Sequence, residues 1–488
     1  MNYFLGTILE GKITGVEKAQ LNRLQLFKQF NMPATCIYTS WNPYLYANAE
    51  KFNVVDDVFT MYDYFQQSIN ERMSIAKNWI QFWEDECRYE LKFVPNSNDV
   101  RIYHNGVFTM YAHFFDRHHN KLNYINYFDI NNKKIKREMY DYRGFLSCSR
   151  ILGDHQRVVL ENYFSPHGDL KIQKYFNLTN NNNELTKIIL YESNSTHYFN
   201  NERDLIIYFY QCLYQHGDQF ILDRPHELGQ IINQLPTIPV IAVLHSTQIV
   251  GDNQIKSYYK PIFDNIDRYQ AIVVSTIQQQ LDVVDYINQQ IPVHVIPPGS
   301  ASSVKHDIDF DKKVNNRLIS VARLVPGKQI KHQIEAVKRL VTKYPSLKLD
   351  IFGHGNGAEE YQQLIVENNL SSNITIHDFS TNIEHEIATA DMMIFTSMME
   401  GVGLVILESI AVGTPVISYD NKYGPAEMIE SNYNGFLIQP NDINSLVDKI
   451  DLLLSDRQKL TQFSLNSIQT AESFYDDVII KKWQTITQ

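Results

Sequence analysis

Cysteine is scarce: the 488 residues hold four, Cys36, Cys87, Cys148 and Cys212. No two form a C-x-x-C and all lie far apart, which excludes both the usual zinc spacing and a secreted disulfide framework. A reduced, cytoplasmic protein is expected. Long apolar runs are missing too. None approaches the roughly 18 residues a membrane helix needs, so no transmembrane segment is expected. The opening MNYFLGTILEGKITG lacks a basic region and a small-residue cleavage site, and reads as a first strand instead of a signal peptide. Positive charge is in deficit, with 44 Lys and Arg against 55 Asp and Glu and a net charge of −11. That argues against a nucleic-acid partner, while leaving room for a local basic surface.

What is present is a folded globular composition, 44% apolar and 20% charged, in a chain long enough for two or three domains. Residues 1–78 alternate strand and helix patterns: NYFLGTI, then GVEKAQLNRLQLFKQF, then ATCIYTS. From 79 to 201 the pattern turns extended and aromatic. DVRIYHNGVFTMYAHFF is two strands around His104-Asn105-Gly106, and two more hairpin-like stretches follow, predicting an antiparallel meander insert. Residues 101–200 carry 13 Lys and Arg against nine Asp and Glu, concentrated in KKIKREMYDYRG. That excess is either a solvated sheet face or a docking surface for an acidic partner. The α/β pattern resumes over 202–298. A Pro-, Gly- and Ser-rich linker follows, then a second α/β unit over 299–472 and a last helix over 473–488 that crosses back to the first domain. The four asparagines at 180–183 read as a loop.

Three stretches of the second α/β unit carry chemistry. EGVGLVILE places Glu400 and Glu408 around Gly401 and Gly403, reading as a glycine loop that opens a helix at Leu404 and Val405. The first N–H groups of such a helix lack partners and sit at the positive end of its dipole, which suits an anion. Glu408, inside the helix, could accept from vicinal hydroxyls. VARLVPGKQ places Arg323 and Lys328 after a strand, two cations suited to a pyrophosphate. IFGHGNG puts Gly353 and Gly355 at another strand end, where backbone must come close to something. Singly, these features admit plain structural readings: a dipole-favoured Glu, a surface salt bridge, a turn. Their coincidence at strand ends of one domain favours a shared anion site. The D-x-D at 307–309 falls in the linker and reads as solvated charge, and no metal site is expected.

With these residues the chain resembles the retaining, nucleotide-sugar-dependent GT-B glycosyltransferases of family 4. The resemblance rests on Arg323 with Lys328, the E-x7-E pair Glu400/Glu408, GTPVISYDNKYGPAEMI and NGFLIQP, with ITGVEKAQLNRL and VLHST in the first half. It implies an α/β GT-B fold: two Rossmann-like domains facing a cleft, with a β-rich insert in the N-terminal domain. The insert and the opening stretch look most like the glycosyltransferases of serine-aspartate repeat adhesins in Gram-positive cocci. These are related to the serine-rich adhesin and wall teichoic acid enzymes. The resemblance implies UDP-N-acetylglucosamine as donor, no cofactor or metal, and serine-aspartate repeat protein as acceptor. It further implies that Arg323 and Lys328 neutralise the diphosphate and that N–H groups from Gly403 to Val405 add to this. Glu400 and His245 would hold the donor sugar, with Ser246 beside it, and Glu408 the ribose. Gly15 would bring the first helix N-terminus to the phosphates. Lys133, Lys134 and Lys136 are candidates for acceptor binding, and self-association is a competing use of the insert. A teichoic acid acceptor remains an alternative, as does a non-catalytic partner of an active sister chain.

Overall fold

The computed structural model describes residues 1–72, 77–179, 182–250, 254–302, 310–378, 380 and 382–487. The D-x-D at 307–309 and the start of the asparagine run lie outside them. The chain forms two compact units, residues 1–24 with 33–239, and residues 25–32 with 240–488.

In the first unit, four parallel strands run side by side in the order Gln219–Leu222, Asn2–Gly6, Ala34–Tyr38, Val58–Thr60. The helix Gly15–Gln29 begins with a T-x-x-E box. The backbone N–H and hydroxyl of Thr14 both donate to the Glu17 carboxylate, at 2.9 and 2.5 Å. Arg224 also pairs with Glu17. Burial pushes this carboxyl up, but these hydrogen bonds hold it below its usual range. The start of the helix is therefore already occupied by its own carboxylate, and a Cβ built on Gly15 meets nothing within 4 Å.

The insert is a pure meander. Ten strands, from Glu90–Phe93 to Thr196–Phe199, each pair antiparallel with the next. Asn105 and Gly106 adopt positive φ of 50° and 76°, as a two-residue hairpin turn demands. Val100, Ile102, Ala112, Phe114 and Ile125 bury one face against Trp83. Arg143 seats the sheet on the α/β layer. It lies buried between Asp141 and Asp63, at 2.7 and 2.5 Å. Two of the three candidate acceptor lysines are engaged locally, Lys133 with Asp154 at 3.0 Å and Lys136 with Glu138 at 2.6 Å. The basic excess of the insert is thus partly neutralised on its own surface.

The second unit holds the parallel strands Val240–Val243, Ala271–Val274 and Val293–Val295. It also holds a six-stranded parallel sheet in the order Ile374–His377, Lys348–Phe352, Arg317–Val321, Met392–Phe395, Val416–Tyr419, Gly435–Ile438. Leu318, Leu349, Ile394 and Ile417 pack beneath Ile334 and Val337 of the helix Ile330–Leu340. Ile319, Met393 and Val416 pack on the other face, beneath Ile406 and Ile410. Strand order reverses between Arg317–Val321 and Met392–Phe395. In open parallel sheets, the loops leaving such a pair diverge and leave a crevice. The last helix, Asp476–Gln484, sets Trp483 edge-on to Phe27 at 5.8 Å.

Candidate functional site at the switch point of the second sheet

The two strands at the order reversal lead into the two stretches singled out from sequence. Past Val321 the chain turns through Arg323 and a short 3-10 turn, Pro326–Lys328. Past Phe395 it runs through Glu400 and Gly401 to the helix Leu404–Ala411. The loops are tied together at their roots. The amide of Met398 donates to Gly327 O at 2.9 Å, and the Thr396 hydroxyl to Lys328 O at 2.9 Å. Gln333 donates to that hydroxyl at 2.8 Å. At the tips, Lys328 Nζ pairs with Glu400 Oε1, and both side chains are largely buried. Arg323 is exposed and has no ion-pair partner among the described residues.

The glycines have specific jobs. A Cβ on Gly353 would stand 1.9 Å from Ala322 O, and one on Gly355 2.4 Å from Leu324 O. Leu324 N donates to His354 O at 2.8 Å. What this backbone comes close to is therefore the segment carrying Arg323. A Cβ on Gly401 would stand 2.1 Å from His245 O. This close approach brings His245, two residues past the strand Val240–Val243, against the Glu400 loop. Gly403 caps its helix in the left-handed region at φ 80°. It leaves the N–H groups of Leu404 and Val405 at the positive end of the dipole, ahead of the first intrahelical bonds. Glu408 lies half-buried in the same helix. Lys328, Glu400, Gly401 and His245 are thus brought together, with Arg323, Gly403, Leu404 and Val405 on the same two strand-end loops and Gly353 against the Arg323 segment. Gly15 and Lys133, Lys134 and Lys136 belong to the other unit.

Several residues with no assigned role from sequence buttress the site. Tyr423, buried, donates to Asp282, which also takes Lys422 at 2.5 Å. Burial pushes the Asp282 carboxyl up, but the hydrogen bonds from Lys422, Tyr423 and Gln278 hold it below its usual range. Glu427 accepts from the N–H of Ile277, the first residue of the helix Ile277–Tyr286, at 2.7 Å. Gln279 donates to Ser246 O at 3.1 Å, and Ser246 N donates to the Tyr259 hydroxyl at 3.0 Å. Gly424 at φ 104° lets this segment close on Val402, its Cβ position 2.4 Å from Val402 O. The stretch DNKYGPAE held the signal, a Gly-Pro pair beside acid and aromatic, but its partners lie about 140 residues away.

Residues 305–470 match the family described as glycosyl transferases group 1. A poly(glycerol-phosphate) alpha-glucosyltransferase of Bacillus subtilis is 27% identical over 384 residues. That alignment spans 74% of this chain but only 55% of the relative's length. A UDP-N-acetylglucosamine–peptide N-acetylglucosaminyltransferase GtfA subunit of Streptococcus agalactiae is 24% identical over 506 residues, 96% of this chain and 95% of its own. The crystal structure of the pneumococcal O-GlcNAc transferase GtfA with UDP and GlcNAc superposes with a TM-score of 0.83 at 22% identity. It covers 100% of this chain and 98% of that one. The strand-end site lies within the matched residues, and the likenesses agree on architecture: residues 305–470 match the glycosyl transferases group 1 family, and the chain has the GT-B fold.

Proposed function

We propose that the protein moves N-acetylglucosamine from UDP-N-acetylglucosamine to serines, or to serine-linked sugars, of serine-aspartate repeat surface proteins, with retention at the anomeric carbon. The observation that carries the reading is the Lys328–Glu400 pair at the switch point, held against His245 through Gly401. It sets a cation for the diphosphate beside a carboxylate for the sugar. The near-full-length relative named as a peptide N-acetylglucosaminyltransferase supports the donor and a protein acceptor.

In this reading the diphosphate lies over the N-termini of Gly403, Leu404 and Val405, between Arg323 and Lys328. Glu408 takes the ribose hydroxyls. Glu400 and His245 fix the sugar. The bond between the anomeric carbon and the β-phosphate oxygen breaks. The acceptor oxygen forms its bond on the same face, and its proton passes to the departing phosphate. The chain's contribution is orientation and stabilisation of charge growing on UDP, without a metal or cofactor assigned. The reaction is placed in the cytoplasm, in keeping with four unpaired cysteines. Lys134 and its neighbours help hold the acidic acceptor.

A poly(alditol phosphate) acceptor is the second reading, favoured by the name of the Bacillus relative. A competition assay separates the two. Purified protein with labelled UDP-N-acetylglucosamine is offered equal serine-aspartate peptide and poly(ribitol phosphate). Label on the peptide is expected; label on the polymer alone would replace the first reading with the second.

A further inference from the structure

The insert carries a cavity that the reaction above does not use. Its volume is about 580 Å3, within the roughly 300–1,000 Å3 of small-molecule sites. Its walls come from residues between Lys77 and Asn120, and none belongs to the crevice around Lys328. One wall is a short helix, Trp79–Gln81, that continues as a single π-helical turn, Phe82–Glu86. Such turns are rare and recur at functional sites. This one presents Glu84 and Asp85 to the cavity, and neither carboxylate has a partner among the described residues. Gln81 and Asn120 add amides, and Phe93, on the edge strand of the meander, adds a ring that is 50% exposed. His119 stands edge-on to Phe93 at 5.1 Å and to Phe114 at 5.0 Å. Its Nε2 is buried with no hydrogen-bond partner.

We propose that this cavity is a second saccharide site, taking a neutral pyranose such as N-acetylglucosamine. Unpaired carboxylates are acceptors for sugar hydroxyls. The Gln81 and Asn120 amides serve further hydroxyls or an acetamido group, and the Phe93 ring offers a face to the C–H side of the sugar. Burial lowers the His119 pKa, which favours the neutral ring that an uncharged ligand needs. An anionic ligand meets Glu84 and Asp85, while the one lining lysine, Lys77, holds its ammonium over the Phe82 ring. An apolar one leaves the carboxylates and amides desolvated. No group of three or more His, Cys, Asp or Glu suited to a metal ion occurs among the described residues. The use of the site rests on the acceptor reading above. Sugars already transferred would tether a glycosylated acceptor and raise the local concentration of its remaining serines.

The test reads binding and not turnover. Methyl N-acetylglucosaminide is titrated into protein saturated with UDP, followed by saturation-transfer NMR. The same is done for Glu84→Gln/Asp85→Asn and for Phe93→Ala, with UDP affinity and circular dichroism as fold controls. The expected result is binding by the wild type, weakened at least tenfold in both variants, with UDP affinity unchanged. No glycoside binding by the wild type overturns the proposal. So does binding that both variants retain in full, because a sugar seated at the donor site would ignore them. Glycoside binding lost in the variants while no peptide is ever modified would uphold this site and sink the acceptor reading. Peptide transfer without glycoside binding would do the reverse.

Discussion

Replacing Lys328 with alanine removes one charge with two jobs, and the structure says how to separate them. In the resting site its Nζ pairs with Glu400, the two side chains being 15% and 16% exposed. Stripping one partner from a fully buried pair costs about 3–5 kcal/mol. Residual solvent contact here reduces the expected stability loss to about 1–2 kcal/mol, or a few degrees in Tm. The second job is to meet charge on the departing UDP. Removing one such contact lowers kcat by about 10²–10³-fold. Lys328→Ala alone should show both losses. In Lys328→Ala/Glu400→Ala the stranded carboxylate is gone, so Tm should recover while turnover stays low. The assay pairs initial rates at saturating donor with a thermal scan of each variant. A folded Lys328→Ala enzyme of near-normal turnover would refute the phosphate role. Recovered turnover in the double variant would show that the lysine serves only to neutralise Glu400.

Gly401→Ala places a Cβ where only 2.1 Å separates it from His245 O, so the Glu400 loop must move by about 1 Å. A shift of that size can cost about 10²-fold in rate, and kcat is expected to fall without unfolding; an unchanged kcat would contradict the close approach. Gly353→Ala meets Ala322 O at 1.9 Å at a φ of 153°, and a lowered Tm with weaker UDP binding by calorimetry is expected, because the Arg323 segment must shift. Lys313 donates to Ala388 O, Ala390 O and the Thr414 hydroxyl, and burial lowers its pKa from 10.5 to about 8. Between those values the unfolded chain binds more protons, so stability should rise with pH from about 8 to 10.5. Lys313→Met should abolish that rise in denaturant titrations, and a parallel pH trend in both proteins would exclude it. Lys134→Glu should weaken acceptor binding more at low salt than at high salt; equal affinity at both would remove this strand from the acceptor surface.

The parts of the fold that were legible are those written in local pattern. Alternation and β-branching marked the parallel strands, and the Asn105-Gly106 pair marked the first hairpin of the insert. The glycine-to-helix transition at 403–404 was readable because a capping glycine and an apolar helix face are neighbours in sequence. Gly353 and Gly355 announced a close approach, but not to what. That partner, the backbone from Ala322 to Leu324, is fixed by sheet order and not by spacing. The same holds for Gly401 on His245 O and for Tyr423 on Asp282. Each depends on where distant strand ends meet, which periodicity does not encode. The basic stretch around Lys133 was visible as charge. Glu138, two residues from Lys136 on the same strand, was visible beside it, but Asp154, which meets Lys133 from 21 residues on, was not.

The most direct test of the central claim weighs a serine-aspartate repeat peptide, bare and pre-glycosylated, after incubation with UDP-N-acetylglucosamine and either wild-type protein or Lys328→Ala. Mass increments of N-acetylhexosamine on at least one peptide with the wild type, and on neither with Lys328→Ala, are the predicted result. Unmodified peptides from a wild-type protein that still binds UDP would contradict the donor and acceptor assignment. Equal modification by both proteins would contradict the site.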